Sequence, residues 1–165
     1  MKALVIGGDS FIGGRLAETL RANGHEVVVT TRVVGREDAL FFDMKHPIGV
    51  PRADVVFICA AMTRFIDCEQ HPEAYRVNVD APVAIAKQVR DYGGKVVYFS
   101  SEAVEKALGT KYGLHKALVE AALSGFPNAI VVRIGKTDEV NVDSLCRRVL
   151  TLAVIGNTGL FRLCE

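Results

Sequence analysis

Short hydrophobic runs alternate along the whole chain with segments whose hydrophobic residues recur at helical spacing. The runs are almost continuously apolar, as in strands covered on both faces, which favours a parallel sheet. Helical patterns lie between them at about 11–23, 73–91, 111–123 and 141–154. Seven strands are predicted, the last on a weaker pattern: Ala3–Ile6, Val27–Thr31, Leu40–Phe42, Val55–Cys59, Val96–Phe99, Ile130–Ile134 and Leu160–Leu163.

This alternation of strands and helices predicts the fold class. Parallel strands joined by right-handed helical crossovers form a doubly wound sheet with helices on both faces. Asn23-Gly24 and Gly93-Gly94 are stop signals after the first two helices. No linker rich in Pro, Gly or Ser marks a second domain. We therefore predict one α/β/α domain over residues 1–165, a Rossmann-type parallel sheet of about seven strands.

Composition and charge narrow the function. The 165 residues include 20 Lys+Arg and 19 Asp+Glu, a balance that argues against a nucleic-acid surface or a polybasic membrane anchor. The longest apolar runs are too short for a membrane helix, and no signal-peptide core is present. The histidines lack metal-ligand spacing, and we expect no metal site. Without a C-x-x-C motif, the cysteines indicate free thiols in a reducing cytoplasm: Cys59, Cys68, Cys146 and Cys164.

A glycine-rich loop joins the first strand to the first helix. In this context it predicts dinucleotide binding: Gly7 allows a tight turn, Gly13 allows close helix packing, and the helix N-terminus presents N–H groups to a pyrophosphate. No Gly-Lys-Ser/Thr follows, which excludes a P-loop. Ser10 replaces the middle glycine of the usual pattern, and its hydroxyl offers a hydrogen bond to phosphate where backbone would otherwise approach.

The end of the second strand bears on the choice between NAD and NADP. NAD sites carry a carboxylate there, for the ribose 2′-hydroxyl. This strand ends in Thr31-Arg32 instead, and a hydroxyl with a guanidinium suits a 2′-phosphate better. We predict NADP, with NAD as the alternative if Arg32 is only a solvated loop residue.

A serine, a tyrosine and a lysine form the candidate catalytic set. Ser101 ends a strand, and Tyr112 and Lys116 lie one helical turn apart on one face of the next long helix. An ammonium near a phenol lowers the phenol's pKa from its usual value near 10, which favours proton transfer to a carbonyl oxygen. The serine hydroxyl can orient that oxygen.

These motifs in this order resemble the extended short-chain dehydrogenase/reductase family, and within it the dTDP-4-dehydrorhamnose reductases. The resemblance covers nearly the whole chain and includes Phe42-Asp43-Met44, Cys59-Ala60-Ala61-Met62-Thr63 and Ser100-Ser101-Glu102-Ala103-Val104. It implies Ser101, Tyr112 and Lys116 as catalytic residues. The cofactor residues that it implies, together with those already derived, are Gly7, Asp9, Ser10, Phe11, Ile12, Gly13, Thr31, Arg32, Asp43, Met44, Ala60, Ala61, Met62, Tyr112 and Lys116.

The function implied by this resemblance is hydride transfer between NADP and a carbonyl or hydroxyl carbon, with a sugar nucleotide as substrate. A weak preference for a homodimer follows from the Ala117-Leu118-Val119 stretch, because relatives pair through this helix. Two alternatives stay open: a non-catalytic dinucleotide-binding sensor or assembly subunit, and an epimerase with tightly bound NAD. A dehydratase would need further acids near the triad, and only Glu102 is placed for that.

The chain departs from the family in two places. Only 11 positions separate Ser101 from Tyr112, about half the family's usual spacing, and little sequence lies between Ile134 and Val142, where relatives insert much of their substrate domain. We therefore expect a minimal or absent substrate domain.

Asn78 is a further candidate. Pro82, inside the predicted helix 73–91, cannot donate to the Asn78 carbonyl. Family members use an asparagine near here to hold a water on the proton path to the lysine. Asn78 is therefore predicted to do this through its backbone carbonyl, or else Pro82 produces an ordinary kink.

Overall fold

The computed structural model describes residues 1–163 and contains one all-parallel sheet of seven strands. Their order is β3-β2-β1-β4-β5-β6-β7, so the strand sequence reverses between β1 and β4. The predicted doubly wound Rossmann-type fold is confirmed. The strands are β1 (Lys2–Ile6), β2 (Glu26–Thr31), β3 (Leu40–Phe41), β4 (Val55–Ile58), β5 (Lys95–Ser101), β6 (Ala129–Ile134) and β7 (Gly159–Arg162).

The helices follow the predicted pattern with two additions and one correction. They are α1 (Phe11–Ala22), α2 (Phe65–Gln70), α3 (Ala81–Asp91), α4 (Ala103–Lys106), α5 (Lys111–Leu123) and α6 (Val142–Ile155). Helices α2 and α4 were not predicted, because one or two turns are too short to show a hydrophobic period. The segment predicted as one helix over 73–91 is helical from residue 74 to Asp91, but it is not a regular α-helix throughout. A π-helical turn, Arg76–Asp80, lies within it and continues directly into α3, and Pro82 comes two residues after that turn, where a regular α-helix would need its missing N–H.

Alternate side chains of the strands enter two hydrophobic cores. Leu4, Val56 and Tyr98 point to one face of the sheet, where α3 and α5 cover them. Val5, Phe57 and Val97 point to the other face, beneath α1 and α6. Because both faces are covered, the central strands are apolar without interruption, as their sequence indicated.

The carboxyl ends of β1, β4 and β5 lie side by side at the middle of the sheet. In open α/β sheets, ligands bind outside these ends, at the point where the strand order reverses. Within residues 1–163, no helix is long and apolar enough to cross a membrane. Cys59, Cys68 and Cys146 are free thiols, and Cys164 lies outside the described residues.

Candidate active site

Two glycines of the loop after β1 occupy positions that exclude a side chain. Gly7 has a φ of +89°, and a Cβ there would lie 2.8 Å from the Ala60 nitrogen. A Cβ on Gly13 would overlap the carbonyl oxygen of Gly7. The loop therefore depends on glycine at both positions: Gly7 for the close approach to the segment after β4, and Gly13 for the close approach of α1 to β1.

Ser10 caps α1 with both functions of its hydroxyl. The Oγ donates to the Gly7 carbonyl at 2.7 Å and accepts from the Gly13 N–H at 3.1 Å. The expected hydrogen bond from Ser10 to a phosphate is therefore not available, because its only proton is already donated. What remains at this end of α1 are the N–H groups of Phe11 and Ile12, which lie in the first turn and have no helical carbonyl to bind.

A cleft of about 470 Å³ lies on the β2 side of the loop. It collects most of the residues predicted to bind the cofactor. Those lining it are Gly7, Asp9, Ser10, Thr31, Arg32, Asp43, Met44, Ala60, Ala61 and Met62.

Inside this cleft, Asp9 carries the negative charge nearest to the end of β2. Its carboxylate accepts a hydrogen bond from the Thr31 hydroxyl, and Arg36 Nη1 lies 2.6 Å from its Oδ1. The Arg36 guanidinium also pairs with Asp38. Arg36 was missed by sequence reasoning, which considered only Arg32, and no local signal connects it to Asp9. The Asp9 carboxylate thus shares one guanidinium with Asp38, and Arg32 lies on the wall of the same cleft.

A second, larger cleft of about 860 Å³ opens on the other side of the loop. It shares Ser10, Ala61 and Thr63 with the first cleft, so the two form one continuous groove across the carboxyl ends of the strands. Phe11, Ile12 and Ser101 also line it. Four of the predicted residues line neither cleft and lie behind the surface: Gly13, Asn78, Tyr112 and Lys116.

Ser101, Tyr112 and Lys116 come together at the end of β5. The Ser101 hydroxyl lies near enough to the Tyr112 phenol to lower its pKa, and the Tyr112 ring packs against Phe65, with ring centroids 5.4 Å apart. Ser101 and Phe65 both line the larger cleft. The Lys116 ammonium lies 5.7 Å from the centre of the Tyr112 ring. The spacing in sequence thus produces the predicted cluster beside an open cavity.

Lys116 is buried, with 4% of its surface exposed. Its Nζ donates to the Phe99 carbonyl at 2.7 Å and lies 4.6 Å from the centre of the Tyr98 ring. Burial lowers the pKa of this amine to about 8. The group therefore remains mostly charged at neutral pH and loses its charge in mildly alkaline solution.

The pKa of the Tyr112 phenol is raised, because burial disfavours its charged form and the nearby Ser101 hydroxyl offsets only part of that effect. The net lowering of this pKa that the sequence predicts is therefore wrong for the protein in this structure. A positive charge on Lys116 still favours the phenolate more than a neutral amine would. The Lys116 ammonium donates its hydrogen bond to the Phe99 carbonyl. Tyr112 is therefore a protonated phenol at neutral pH, able to give a proton to an oxygen that becomes negatively charged.

Asn78 lies in the π-helical turn and is 2% exposed. Its side-chain oxygen accepts from the Met62 N–H at 2.8 Å, and its amide nitrogen donates to the Met62 carbonyl at 2.9 Å. The side chain thus fixes the segment after β4 that forms the wall between the two clefts. The straight helix that would contradict a backbone role is absent, because a π-helical turn spans residues 76–80, and the backbone role stays a prediction.

Two residues that position the tyrosine were missed. The Thr110 hydroxyl caps α5 by donating to the Ala107 carbonyl at 2.7 Å and accepting from the Gly113 N–H at 3.1 Å. A Cβ on Gly113 would overlap the same carbonyl oxygen. The Thr-x-x-Gly spacing repeats the Ser10-x-x-Gly13 spacing, and this repetition is the signal that could have revealed the cap.

The groove suits an extended dinucleotide. The glycine loop lines it, Phe11 and Ile12 at the N-terminus of α1 line the larger cleft, and the two clefts give room on either side. The residues predicted for the cofactor therefore fit such a group in shape and in donor chemistry.

Comparison with known proteins agrees with this arrangement. Residues 1–153 match the family model described as the RmlD substrate binding domain. No curated protein matches the chain.

Solved structures share the fold. A hypothetical dTDP-4-dehydrorhamnose reductase from Sulfolobus tokodaii superposes with a TM-score of 0.84 at 20% identity, over 99% of this chain and 76% of that one. The dTDP-4-dehydrorhamnose reductase of Bacillus anthracis, in complex with NADP, gives 0.81 at 15% identity, over 98% and 74%. MoeE5, in complex with UDP-glucose and NAD, gives 0.78 at 20% identity, over 100% and 76%.

Proposed function

The chain belongs to the family of the RmlD substrate binding domain, and from that membership we propose that it is an NADP(H)-dependent oxidoreductase. Its reaction would be hydride transfer to or from a carbonyl or hydroxyl carbon of a sugar nucleotide. The observation that carries the proposal is the meeting of Ser101, Tyr112 and Lys116 beside the groove that also receives the glycine loop.

Each residue of the triad has a role that follows from its surroundings. Tyr112 is protonated at neutral pH and gives its proton to the substrate oxygen during reduction. Ser101 lies close to that phenol and lines the cleft, which suits it to orient the same oxygen. Lys116 provides a positive charge behind the phenol, held by the Phe99 carbonyl, which stabilises the phenolate left after proton transfer.

The dinucleotide would be held by the backbone and the walls of the groove. When bound, it supplies the hydride that the protein's own side chains cannot provide. The N–H groups of Phe11 and Ile12 would bind its pyrophosphate, and Asp43 and Met44 would line the adenine pocket. Support for this cofactor comes from the Bacillus anthracis reductase bound to NADP.

The preference for NADP over NAD rests on charge in the smaller cleft. Arg32 lines that cleft, and Arg36 pairs with the Asp9 carboxylate as well as with Asp38. A 2′-phosphate would thus meet the Arg32 guanidinium, while the negative charge of Asp9 that would repel it is partly offset by Arg36. The complex of MoeE5 with NAD keeps NAD as the alternative.

The test is replacement of Tyr112 by Phe, assayed by NADPH oxidation against a panel of sugar nucleotides. Turnover should fall by roughly 10²- to 10⁴-fold, the usual contribution of a general acid. NADPH affinity, measured by fluorescence titration, should stay at the wild-type value because the phenol oxygen is not needed to bind the dinucleotide. Full activity in the Phe variant would refute the assignment.

Epimerisation is the second candidate, supported by neighbours such as the UDP-glucose 4-epimerase of Thermotoga maritima, with a TM-score of 0.67. Glu102, next to Ser101, lines the larger cleft and offers an additional acid. NAD retained through purification would favour epimerisation, and exchangeable NADPH would favour reduction. Nucleotide binding without any turnover would favour the non-catalytic module.

A homodimer through α5 remains a prediction. Of the stretch that suggested it, Val119 is fully buried in the core and Leu118 is 37% exposed. Leu114, one turn earlier, is 46% exposed and extends the apolar surface. Light scattering of the purified protein tests this association directly.

A further inference from the structure

A cluster of paired side chains lies behind the triad. The guanidinium of Arg133 on β6 forms a forked pair with Glu120 of α5: Nε is 2.8 Å from Oε1, and Nη2 is 2.6 Å from Oε2. Ser100 of β5 donates its hydroxyl to Glu120 Oε1 at 2.6 Å. The remaining guanidinium nitrogen of Arg133, Nη1, lies 2.6 Å from Oε1 of Glu105. The Arg133 and Glu120 side chains are only 12% and 11% exposed.

The sheet register brings these residues together. Ser100 and Arg133 are direct neighbours in the pairing of β5 with β6, so their side chains share the face beneath α5. Glu120 follows Lys116 by one turn and points to the same face. Lys116 bonds the carbonyl of Phe99, and Glu120 bonds the hydroxyl of Ser100. Two successive turns of α5 are therefore tied to two successive residues of β5.

Stability alone does not explain why the contact between α5 and β6 is an ion pair. Buried ion pairs lose hydration, and well-packed apolar side chains of similar volume are often as stable or more so. A forked arginine–carboxylate pair adds what apolar packing lacks, a single fixed geometry. It also adds no net charge beside Lys116, because the two charges cancel.

We propose that Ser100, Glu120 and Arg133 are positioning residues that fix α5 on β5 and β6, and so hold Lys116 at the Phe99 carbonyl and Tyr112 beside Ser101. The inference rests on the proposed function only for what the held groups do. The geometry that it explains is independent of substrate.

The charge balance gives a second readout. The groups that act on Lys116 come from the residue after β4 and from α2, β5 and α5, namely Cys59, Cys68, Tyr98, Tyr112 and Glu120. Among them, Glu120 raises the pKa of Lys116. Removing Arg133 leaves that carboxylate unbalanced, and removing the carboxylate leaves the guanidinium unbalanced. The two changes should move the Lys116 titration in opposite directions.

The experiment compares three variants with the wild-type chain: the apolar pair Glu120→Met with Arg133→Met, and the single changes Glu120→Gln and Arg133→Met. Arg15→Met is the matched control, because it removes an arginine whose ion pair with Asp143 lies on the opposite face of the sheet. Thermal unfolding, kcat and KM for NADPH oxidation, and the Lys116 titration in ¹³C-lysine-labelled protein are measured for each. Lys116→Met identifies the Lys116 signal.

The double variant should unfold at a temperature near that of the wild type and bind NADPH with unchanged affinity. Its kcat should fall by about 10- to 100-fold, the effect of a small displacement of catalytic groups. In Arg133→Met the Lys116 titration should move to higher pH, and in Glu120→Gln to lower pH. The Arg15→Met control should match the wild type in kcat and in the titration.

Two results overturn the proposal: a folded double variant with wild-type kcat, or a Lys116 titration that is the same in all variants. If the wild-type chain shows no NADPH oxidation with any substrate of the panel, the proposed function fails, and the Lys116 titration alone tests the positioning role. If the single variants do not fold, the double variant decides, and its Lys116 titration should move to lower pH as the bond to the Phe99 carbonyl is lost. An unchanged titration there overturns the proposal.

Discussion

The turns that begin α1 and α5 can be compared atom by atom. In each, a capping hydroxyl, from Ser10 or Thr110, donates to the carbonyl three residues before it and accepts from a glycine N–H three residues after it. In each, a Cβ on that glycine would overlap the accepting carbonyl. The two helices are thus seated on the preceding chain by the same set of contacts.

What differs is the part of the turn that faces the groove. The α1 turn comes directly from β1, and its accepting residue is Gly7, with a φ of +89°. The α5 turn follows α4, and its accepting residue is Ala107, with an ordinary φ of −142°. At α1 the backbone N–H groups are presented, so any side chain in the loop is an obstacle. At α5 the side chains Tyr112 and Lys116 are presented, and the backbone serves only as their platform.

The largest effects should come from Gly13→Ala and Gly113→Ala. Each added methyl group meets a backbone carbonyl that cannot rotate away, and we expect a loss of about 3 kcal/mol of unfolding free energy in each case. The functional losses should differ: Gly13→Ala weakens NADPH binding, whereas Gly113→Ala keeps binding and lowers turnover. Urea unfolding, fluorescence titration of NADPH and the oxidation assay measure the three quantities.

Gly109→Ala is the control for this pair, because a Cβ there has nothing within 4 Å. Its stability should stay within about 0.5 kcal/mol of the wild-type value. Equal loss of NADPH affinity in both glycine variants would contradict the assignment of cofactor binding to the α1 turn and of turnover to the α5 turn.

The next effect concerns a buried charge. Helix α5 buries the charged residue Lys116, whereas the buried residues of α1 include no charged side chain. The folded-state pKa of Lys116, about 8, lies below the ordinary lysine value of 10.5. The unfolded chain therefore holds more protons between these values, and folding becomes more favourable as pH rises through this window. The wild type should gain roughly 2 kcal/mol of unfolding free energy relative to Lys116→Met between pH 8 and pH 10.

Urea unfolding of both proteins at several pH values gives this difference. Other titrating groups are common to both and cancel in the comparison. A difference that is flat from pH 8 to pH 10 would mean that Lys116 is not desolvated as described. In the activity assay, the same titration should reduce turnover above about pH 8, because the neutral amine no longer stabilises a phenolate.

The smallest effect should come from the caps themselves. Ser10→Ala and Thr110→Ala should each cost about 1 kcal/mol, the usual value for a lost helix cap. Ser10→Ala should reduce NADPH affinity and Thr110→Ala should reduce kcat, each less than the corresponding glycine variant. Ser124→Ala, which removes an exposed hydroxyl at the other end of α5, is the control and should change neither. A cap variant with a larger loss than its glycine partner would contradict this order.

The sequence predicts the sheet well because the central strands are buried on both faces, and burial leaves an uninterrupted apolar run such as Val55–Ile58. It fails where structure depends on few residues or on distant contacts. Helices α2 and α4 are too short to show a period, and Asn78 of the π-helical turn is bonded to Met62, 16 residues away.

The candidate site shows the same contrast between features set by local sequence and features set by distant contacts. The spacing of Tyr112 and Lys116 on one helix is local, so their proximity was predictable. The direction of the Lys116 ammonium is not local, since it is set by the Phe99 carbonyl on a neighbouring strand. The same holds for Ser10, whose proton goes to Gly7, and for Asp9, whose partner Arg36 comes from a loop 27 residues further along the chain.

The two edges of the sheet affect how copies of the chain behave at high concentration. An open strand edge is a template on which another chain can add hydrogen bonds. Here β3 contributes two residues and β7 four, and the β7 edge carries Arg162, paired with Glu105. Short edges offer little length for intermolecular pairing, even though the two β3 residues, Leu40 and Phe41, are apolar and exposed. The sheet can therefore keep its long apolar strands at the centre without exposing them to edge-to-edge aggregation.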